Sequence, residues 1–432
     1  MPAPPHPVAA LLLAAALLAG CTKPPEPGRT PLHVSVFGSA HTLQAEFAVF
    51  AAFRAAHPEI DLRVHAISSH YTHKIQTMMV GRVEPDVMLV ELVQYHEWAA
   101  RGRLADVSDL VREIQARWPL LPKARDAFEV GGRFMAVPLT AQGLCTYVNL
   151  DAFAAAGVAL PPEGDFTWDW LECVAPRLAR RAGAQTATAD YLMAIPDPLL
   201  LIYAEGGRVF DDSRRPTRAT ADTPEVRAAF ARLRRLVATG ALLSPSATVD
   251  QSNSQLPLQL FRDGKVALHF SGRWDIRNLG DDARFKWTLL PVPRGPAGVV
   301  SFHRASGLAI SSRTPHRAAA ETFVRFYFSP ENMERVIRGG RLVPAWQPLA
   351  YGASIAAQPP AGRLEIIART MEQGGGEFPL YGPGSEAVLF ELNQTFEQFF
   401  VRPDLDEGAL ARDLDATLDR WLARQKRKGL LP

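Results

Sequence analysis

The chain has 432 residues, 47% hydrophobic and 21% charged, with a net charge of +2 at pH 7. Those proportions fit a globular protein with ample core and exclude a disordered chain, a coiled coil or a collagen-like repeat. So small a charge excess argues against nucleic acid as a partner. The one basic cluster, Arg424, Lys426, Arg427 and Lys428, falls at the end of an expected helix, where it complements the helix dipole.

The first element is an apolar run over residues 8–20 that ends in Leu18-Ala19-Gly20-Cys21. It is too short to cross a bilayer, which takes about 20 residues. It has the length of a signal-peptide core, with small residues leading into the cleavage point. Leu-Ala-Gly-Cys resembles the bacterial lipobox. That resemblance implies a signal peptide over 1–20 and a lipid on Cys21, the first mature residue. The leader departs from the pattern in one respect, since residues 1–7 contain no Lys or Arg. Pro24, Pro25, Pro27 and Pro31 make 21–31 an extended tether. The expectation is an extracytoplasmic protein held to the membrane by lipid, at the cell surface or in a periplasm. Cys145 and Cys173 remain, as a pair or as free thiols.

Strand and helix signals then alternate. Residues 32–37 read as a strand, and Thr42 is placed to cap a helix with Leu43, Phe47, Phe50 and Phe53 on one face. Leu62, Val64 and Ala66 alternate with polar residues as a second strand. A helix follows over 71–80, then a buried strand over 86–90. Such alternation predicts a mainly parallel sheet flanked by helices. Ligands of these sheets sit beyond the carboxyl ends of the strands. Ser39 and His41 follow the first strand and Glu91 the third, so all three fall at a candidate binding edge.

Further on, 134–139 and 144–149 read as strands and 169–181 as a helix. The helix over 224–238 is clearly punctuated by Thr223 as cap, Pro224 in the first turn and Gly240 at the stop. Further helices open at Thr314-Pro315 and Ser329-Pro330. The last, over 406–425, buries Leu410, Leu414, Leu418 and Trp421. No long linker interrupts the chain after residue 31, so two lobes would require it to cross between them more than once.

Several segments, in order, resemble one family. Gly81-x-x-x-Pro85-Asp86-Val87 is followed by Gly102-x-Leu104-x-Asp106 and by Gly132-Arg133-x-x-Ala136-Val137-Pro138. Tyr147-Val148-Asn149, Thr167-Trp168-Asp169 and Glu205-Gly206-Gly207 come next, then Gly264-Lys265-Val266-Ala267-Leu268 and Gly272-Arg273-Trp274. Together they resemble the extracellular solute-binding proteins, family 1, of ABC importers, the sugar-binding group that includes maltose-binding protein. The resemblance implies an α/β, two-lobed fold of the periplasmic-binding-protein type II, with a ligand cleft between the lobes and a hinge that closes on the ligand. It also implies a carbohydrate ligand, ABC permease subunits as partners, a monomer, no cofactor and no chemistry of its own. One lobe is expected over 32–140 plus 268–328 and the other over 141–267 plus 329–432. The crossovers are expected near 138–144, 267–272 and 326–330.

A sugar needs hydrogen bonds for its hydroxyls and an aromatic ring for its C–H face. Trp274 follows Gly272-Arg273 where family members place a sugar-stacking tryptophan. Gln142 stands where maltose-binding protein has a sugar-contacting glutamate, so a carboxylate has become an amide. Glu91, Ser39 and His41 are polar candidates at the strand ends, and Tyr203 and Tyr381 are further stacking candidates. Arg304 and Arg341, if both face the cleft, favour an acidic or phosphorylated ligand such as glycerol phosphate or another phosphorylated polyol. A glycosidase is the enzymatic alternative, although no nucleophile-elbow, phosphate-loop or zinc-protease motif occurs. A metal receptor built on His65, His70 and His73 is another, and zinc would need a third or fourth ligand.

Overall fold

The computed structural model describes residues 27–178, 191–194, 198–243, 256–279, 283–301, 304–340, 342–358, 360, 363–373, 380–381, 384–402, 404, 406–429 and 431. The leader, Cys21 and Arg341 lie outside the described residues. The chain forms the strands β1 (Thr30–Phe37), β2 (Ile60–Ile67), β3 (Val87–Glu91), β4 (Glu129–Val130), β5 (Arg133–Phe134) and β6 (Val137–Gln142). These are followed by β7 (Cys145–Asn149), β8 (Tyr191–Ala194), β9 (Leu242–Leu243), β10 (Val266–Ser271), β11 (Trp287–Leu290) and β12 (Arg304–Ile310).

Ten of these strands form two five-stranded sheets, ordered β2-β1-β3-β12-β6 and β11-β7-β10-β8-β9, while β4 and β5 make a small hairpin. Each large sheet has helices of its own, which gives two lobes. In the first, β1 runs parallel to β2 and β3, whereas β12 runs antiparallel to β3 and β6. In the second, β8 runs parallel to β9 and β10, whereas β7 runs antiparallel to β10 and β11. The sheets are therefore evenly mixed and not mainly parallel. The antiparallel strands are those contributed around the crossings between lobes, a tertiary feature that no local periodicity encodes.

Local signals placed the helices well. Helix Gln44–Ala56 buries Val49, Phe50 and Phe53, and each phenylalanine withdrawn from water contributes roughly 1.5–3 kcal/mol. Thr42 is not its cap. The Thr42 hydroxyl turns back to accept from the Ser39 N–H at 3.0 Å, closing the loop after β1. Helix Pro224–Ala238 begins as expected, with the Thr223 hydroxyl accepting from the Val226 N–H. Helix Glu407–Arg427 is capped by Asp406 and buries Leu410, Leu414, Leu418 and Trp421.

The crossings differ from expectation in two of three places. Gly143 and Leu144 alone separate β6 of the first sheet from β7 of the second, within the expected 138–144 segment. Residues 267–272 do not cross, because β10 and β11 both pair inside the second sheet. The return lies between β11 and β12, so residues 268–290 do not belong with the first sheet. Nor does the chain leave the first lobe near 326–330. Helix Pro330–Arg338 buries Met333, Val336 and Ile337 in the same core as Phe50 and Phe53. Segment 343–345 then lies beside β6, with Ala141 N–H donating to Val343 O and Ala345 N–H to Leu139 O. Val388, Leu392, Phe396 and the buried side chains of helix Glu407–Arg427 pack in the second core instead.

Candidate functional site

Strand register places the first edge. β1 and β3 are parallel and end at Phe37 and Glu91. Because β12 is antiparallel to β3, with Ser306 opposite Glu91, its first residue Arg304 lies at that same end. Because β6 is antiparallel to β12, with Gln142 opposite Arg304, its last residue lies there too. Ser39, His41, Glu91, Gln142 and Arg304 thus gather along one edge of the first sheet. Glu91 and His41 are exposed, and Ser39 and Arg304 are half-buried. The Ser39 hydroxyl is engaged locally, accepting from the Thr42 N–H at 3.3 Å.

The second edge faces the first across two residues. Ser271 at the end of β10 pairs with Cys145, the first residue of β7, and the Gly143-Leu144 link joins Cys145 to Gln142. The link is held from both sides. Leu144 N–H donates to the Ser301 hydroxyl at 2.6 Å, and Gly143 N–H to Ile367 O at 3.3 Å.

Gly272-Arg273-Trp274 leaves this second edge in a braced turn. The Tyr147 hydroxyl donates to Gly272 O at 2.6 Å. Asp275 accepts from the Ser271 hydroxyl at 2.6 Å and meets His269 Nε2 at 2.8 Å. Burial raises the Tyr147 phenol far above its ordinary range, so it remains a neutral donor. A Cβ on Gly272 would stand 2.0 Å from the Trp274 ring. Only glycine lets the indole fold back over the strand end, where it stays half-buried.

Other candidates lie elsewhere. Tyr203 is buried in the second lobe's core on helix Pro198–Ala204. Tyr381 is buried, its ring 4.9 Å from His96, with the Arg214 guanidinium 5.2 Å above it. Arg214 also donates to Asp126 O, so Tyr381 sits in a contact that ties the lobes together. Gln142 is placed by its backbone. The histidines do not converge: His65 stacks on His33 with 3.0 Å between ring nitrogens, and His70 is exposed in a left-handed turn at φ 51°. Cys145, buried, and Cys173, exposed, are both free thiols. A cavity of about 280 Å³ lined by Glu84, Asp86, Arg313 and Thr314 opens at the opposite end of the first sheet, where β3 begins and β12 ends. It is remote from the facing edges. Arg273, Ser301 and Gln358 were not singled out from sequence. Arg273 alone carried a signal, as a charge closing an apolar strand.

The family described as bacterial extracellular solute-binding protein matches residues 48–360. An uncharacterised lipoprotein of Streptomyces antibioticus is 27% identical over 354 residues, covering 78% of this chain and 75% of that one. The fold is similar to that of an ABC substrate-binding protein of Listeria monocytogenes in complex with cycloalternan, at TM-score 0.78 and 22% identity over 91% of this chain and 99% of that one. The GacH receptor of Streptomyces glaucescens, solved unliganded and with acarbose, gives TM-score 0.76 and 20% identity over 91% and 98%. Two lobes, facing strand edges and a family match across most of the chain agree: the chain belongs to the bacterial extracellular solute-binding proteins.

Proposed function

We propose that this protein is the substrate-binding lipoprotein of an ABC importer, taking up a sugar or oligosaccharide between its lobes and delivering it to the membrane permease. The observation that carries this reading is the pair of facing strand edges, joined by two residues, with a half-buried indole on one and polar side chains on the other. Trp274 would stack on the sugar's carbon face, while Gln142, Glu91, His41 and Arg304 would bond its hydroxyls. Closure would be favoured because a ligand touching both edges binds the closed form better than the open one. The first lobe would comprise residues 32–142 and 304–373, the second 145–290 and 380–432. Cys21 would carry the lipid, and the receptor would act as a monomer.

The test is a thermal-shift and calorimetric screen of the chain against mono- and oligosaccharides. One class should raise the melting temperature in proportion to the logarithm of its concentration. A complete absence of binding across neutral, acidic and phosphorylated sugars would remove the reading.

A further inference from the structure

The turn that presents Trp274 also carries Arg273, which is only 1% exposed. A guanidinium has no acceptor of its own and keeps its charge at neutral pH, so burying it demands partners. One is present. Arg273 Nη2 donates to Gln358 Oε1. The Gln358 amide is held by its other end, donating to Ile337 O at 2.9 Å and Ser354 O at 2.7 Å. Arg273 Nε and Nη1 meet no acceptor among the described residues. Burial draws the group down to about 10. Buried donors that meet no acceptor among the described residues call for a partner, and an ordered water or a bound anion can supply one.

Its position points to what that is. Thr140 pairs antiparallel with Pro344 and Ala141 N–H donates to Val343 O, so Val343, three residues after Gly340, lies near the end of β6 on the side away from β12. A Cβ on Gly340 would lie 3.7 Å from Arg273 Nη2. The guanidinium is therefore rooted at the end of β10 in the second lobe and ends against Gly340 and Gln358, beside the helix Pro330–Arg338 that packs in the first lobe.

We propose that Arg273 binds an anionic oxygen group, a carboxylate or a phosphate, on the solute held between the two edges. The inference rests on the solute-binding reading above and narrows its ligand to acidic or phosphorylated sugars and polyols. A neutral hydroxyl would fill a donor but leave the charge unanswered. An oxyanion meets both needs, through charge-assisted bonds that are shorter and stronger than neutral ones. Arg273 then sets specificity, while the adjacent indole packs on the carbon face of neutral and anionic solutes alike.

Calorimetry on the full chain with matched pairs tests this: glucose with glucose 6-phosphate, glucose with glucuronate, galactose with galacturonate, and glycerol with glycerol 3-phosphate. At least one anionic member should bind roughly 10- to 100-fold more tightly than its neutral partner, the usual worth of a charged hydrogen bond. The phosphate and carboxylate arms separate the two chemistries. Arg273→Gln should abolish that preference and Arg273→Lys should keep part of it. The readout is a ratio within one protein, so a general loss of fold lowers both members together and leaves the ratio interpretable. Neutral members binding as tightly as anionic ones would overturn the inference while leaving the solute-binding reading intact. A preference that survives Arg273→Gln would overturn it as well. Silence from every pair would also overturn it, and the broader saccharide screen would then decide the solute-binding reading by itself.

Discussion

Gly143 is the most constrained residue of the link between the lobes, and adding one methyl group there should be costly. A Cβ at Gly143 would stand 2.8 Å from the Met371 backbone nitrogen, 3.1 Å from Met371 Cα and 3.1 Å from the Ser301 hydroxyl. Two of the three atoms belong to the backbone of helix Glu365–Gln373 and cannot swing aside as a side chain would. Moving Ser301 instead would loosen its 2.6 Å bond from the buried Leu144 N–H. Overpacking costs about 1–3 kcal/mol, and a buried donor left unmet costs about 1–3 kcal/mol more. Gly143→Ala should therefore destabilise the protein by about 2–6 kcal/mol. Urea unfolding at fixed pH measures this as a lower midpoint with unchanged slope. Gly164→Ala is the control, since nothing lies within 4 Å of its Cβ position, and it should fall within about 0.5 kcal/mol of the parent. Equal stability of the two variants would refute the account of a tightly held link.

Other outcomes follow from the same coordinates. His96 is buried with Nε2–H donating to Ala127 O at 2.8 Å, and burial, aided by Arg214, lowers it to about 4 from 6.5. Between those values the unfolded chain takes up a proton that the folded one refuses, so stability is intact above pH 6.5 and falls as pH drops. The loss should reach about 2–3 kcal/mol by pH 4.5, and His33 and His65, also lowered by burial, act in the same direction. His96→Gln should flatten the profile; superimposable pH curves would dismiss the idea. Arg232, on helix Pro224–Ala238, is buried against Glu205, Glu172 and Asp169. Arg232→Met should cost about 3–5 kcal/mol in urea unfolding, because the buried Glu205 carboxylate loses its partner. Trp274→Ala should weaken binding of the cognate solute about 10-fold or more, beyond the stability lost with its partial packing on the second core, as calorimetry on the folded variant would read. Cys21→Ser should move the protein from the membrane fraction to the soluble fraction; retention on the membrane would count against the lipid anchor.

The element order and much of the first edge were legible because their causes are local. The periods of Phe50 and Phe53, the Thr223-Pro224 start and the strand-end positions of Ser39 and Glu91 depend on neighbours within a few residues. Two of the three crossings and the buried arginine were not. β10 looks like any apolar crossover until its pairing with β7 and β8 is known. Helix Pro330–Arg338 carries the same apolar stripe whichever core receives it. Arg273 reads as a surface charge until Gln358, 85 residues away in the chain, is brought against it.

The sequence by itself determined the alternation of strands and helices and membership in a family of two-lobed binding proteins, since each is written in short-range pattern. Only the tertiary structure decided which strands share a sheet and where the chain passes between lobes. It also decided which charge lies buried at their junction. Those outcomes depend on hydrogen-bond pairing and desolvation between segments far apart in sequence, and neither leaves a local trace.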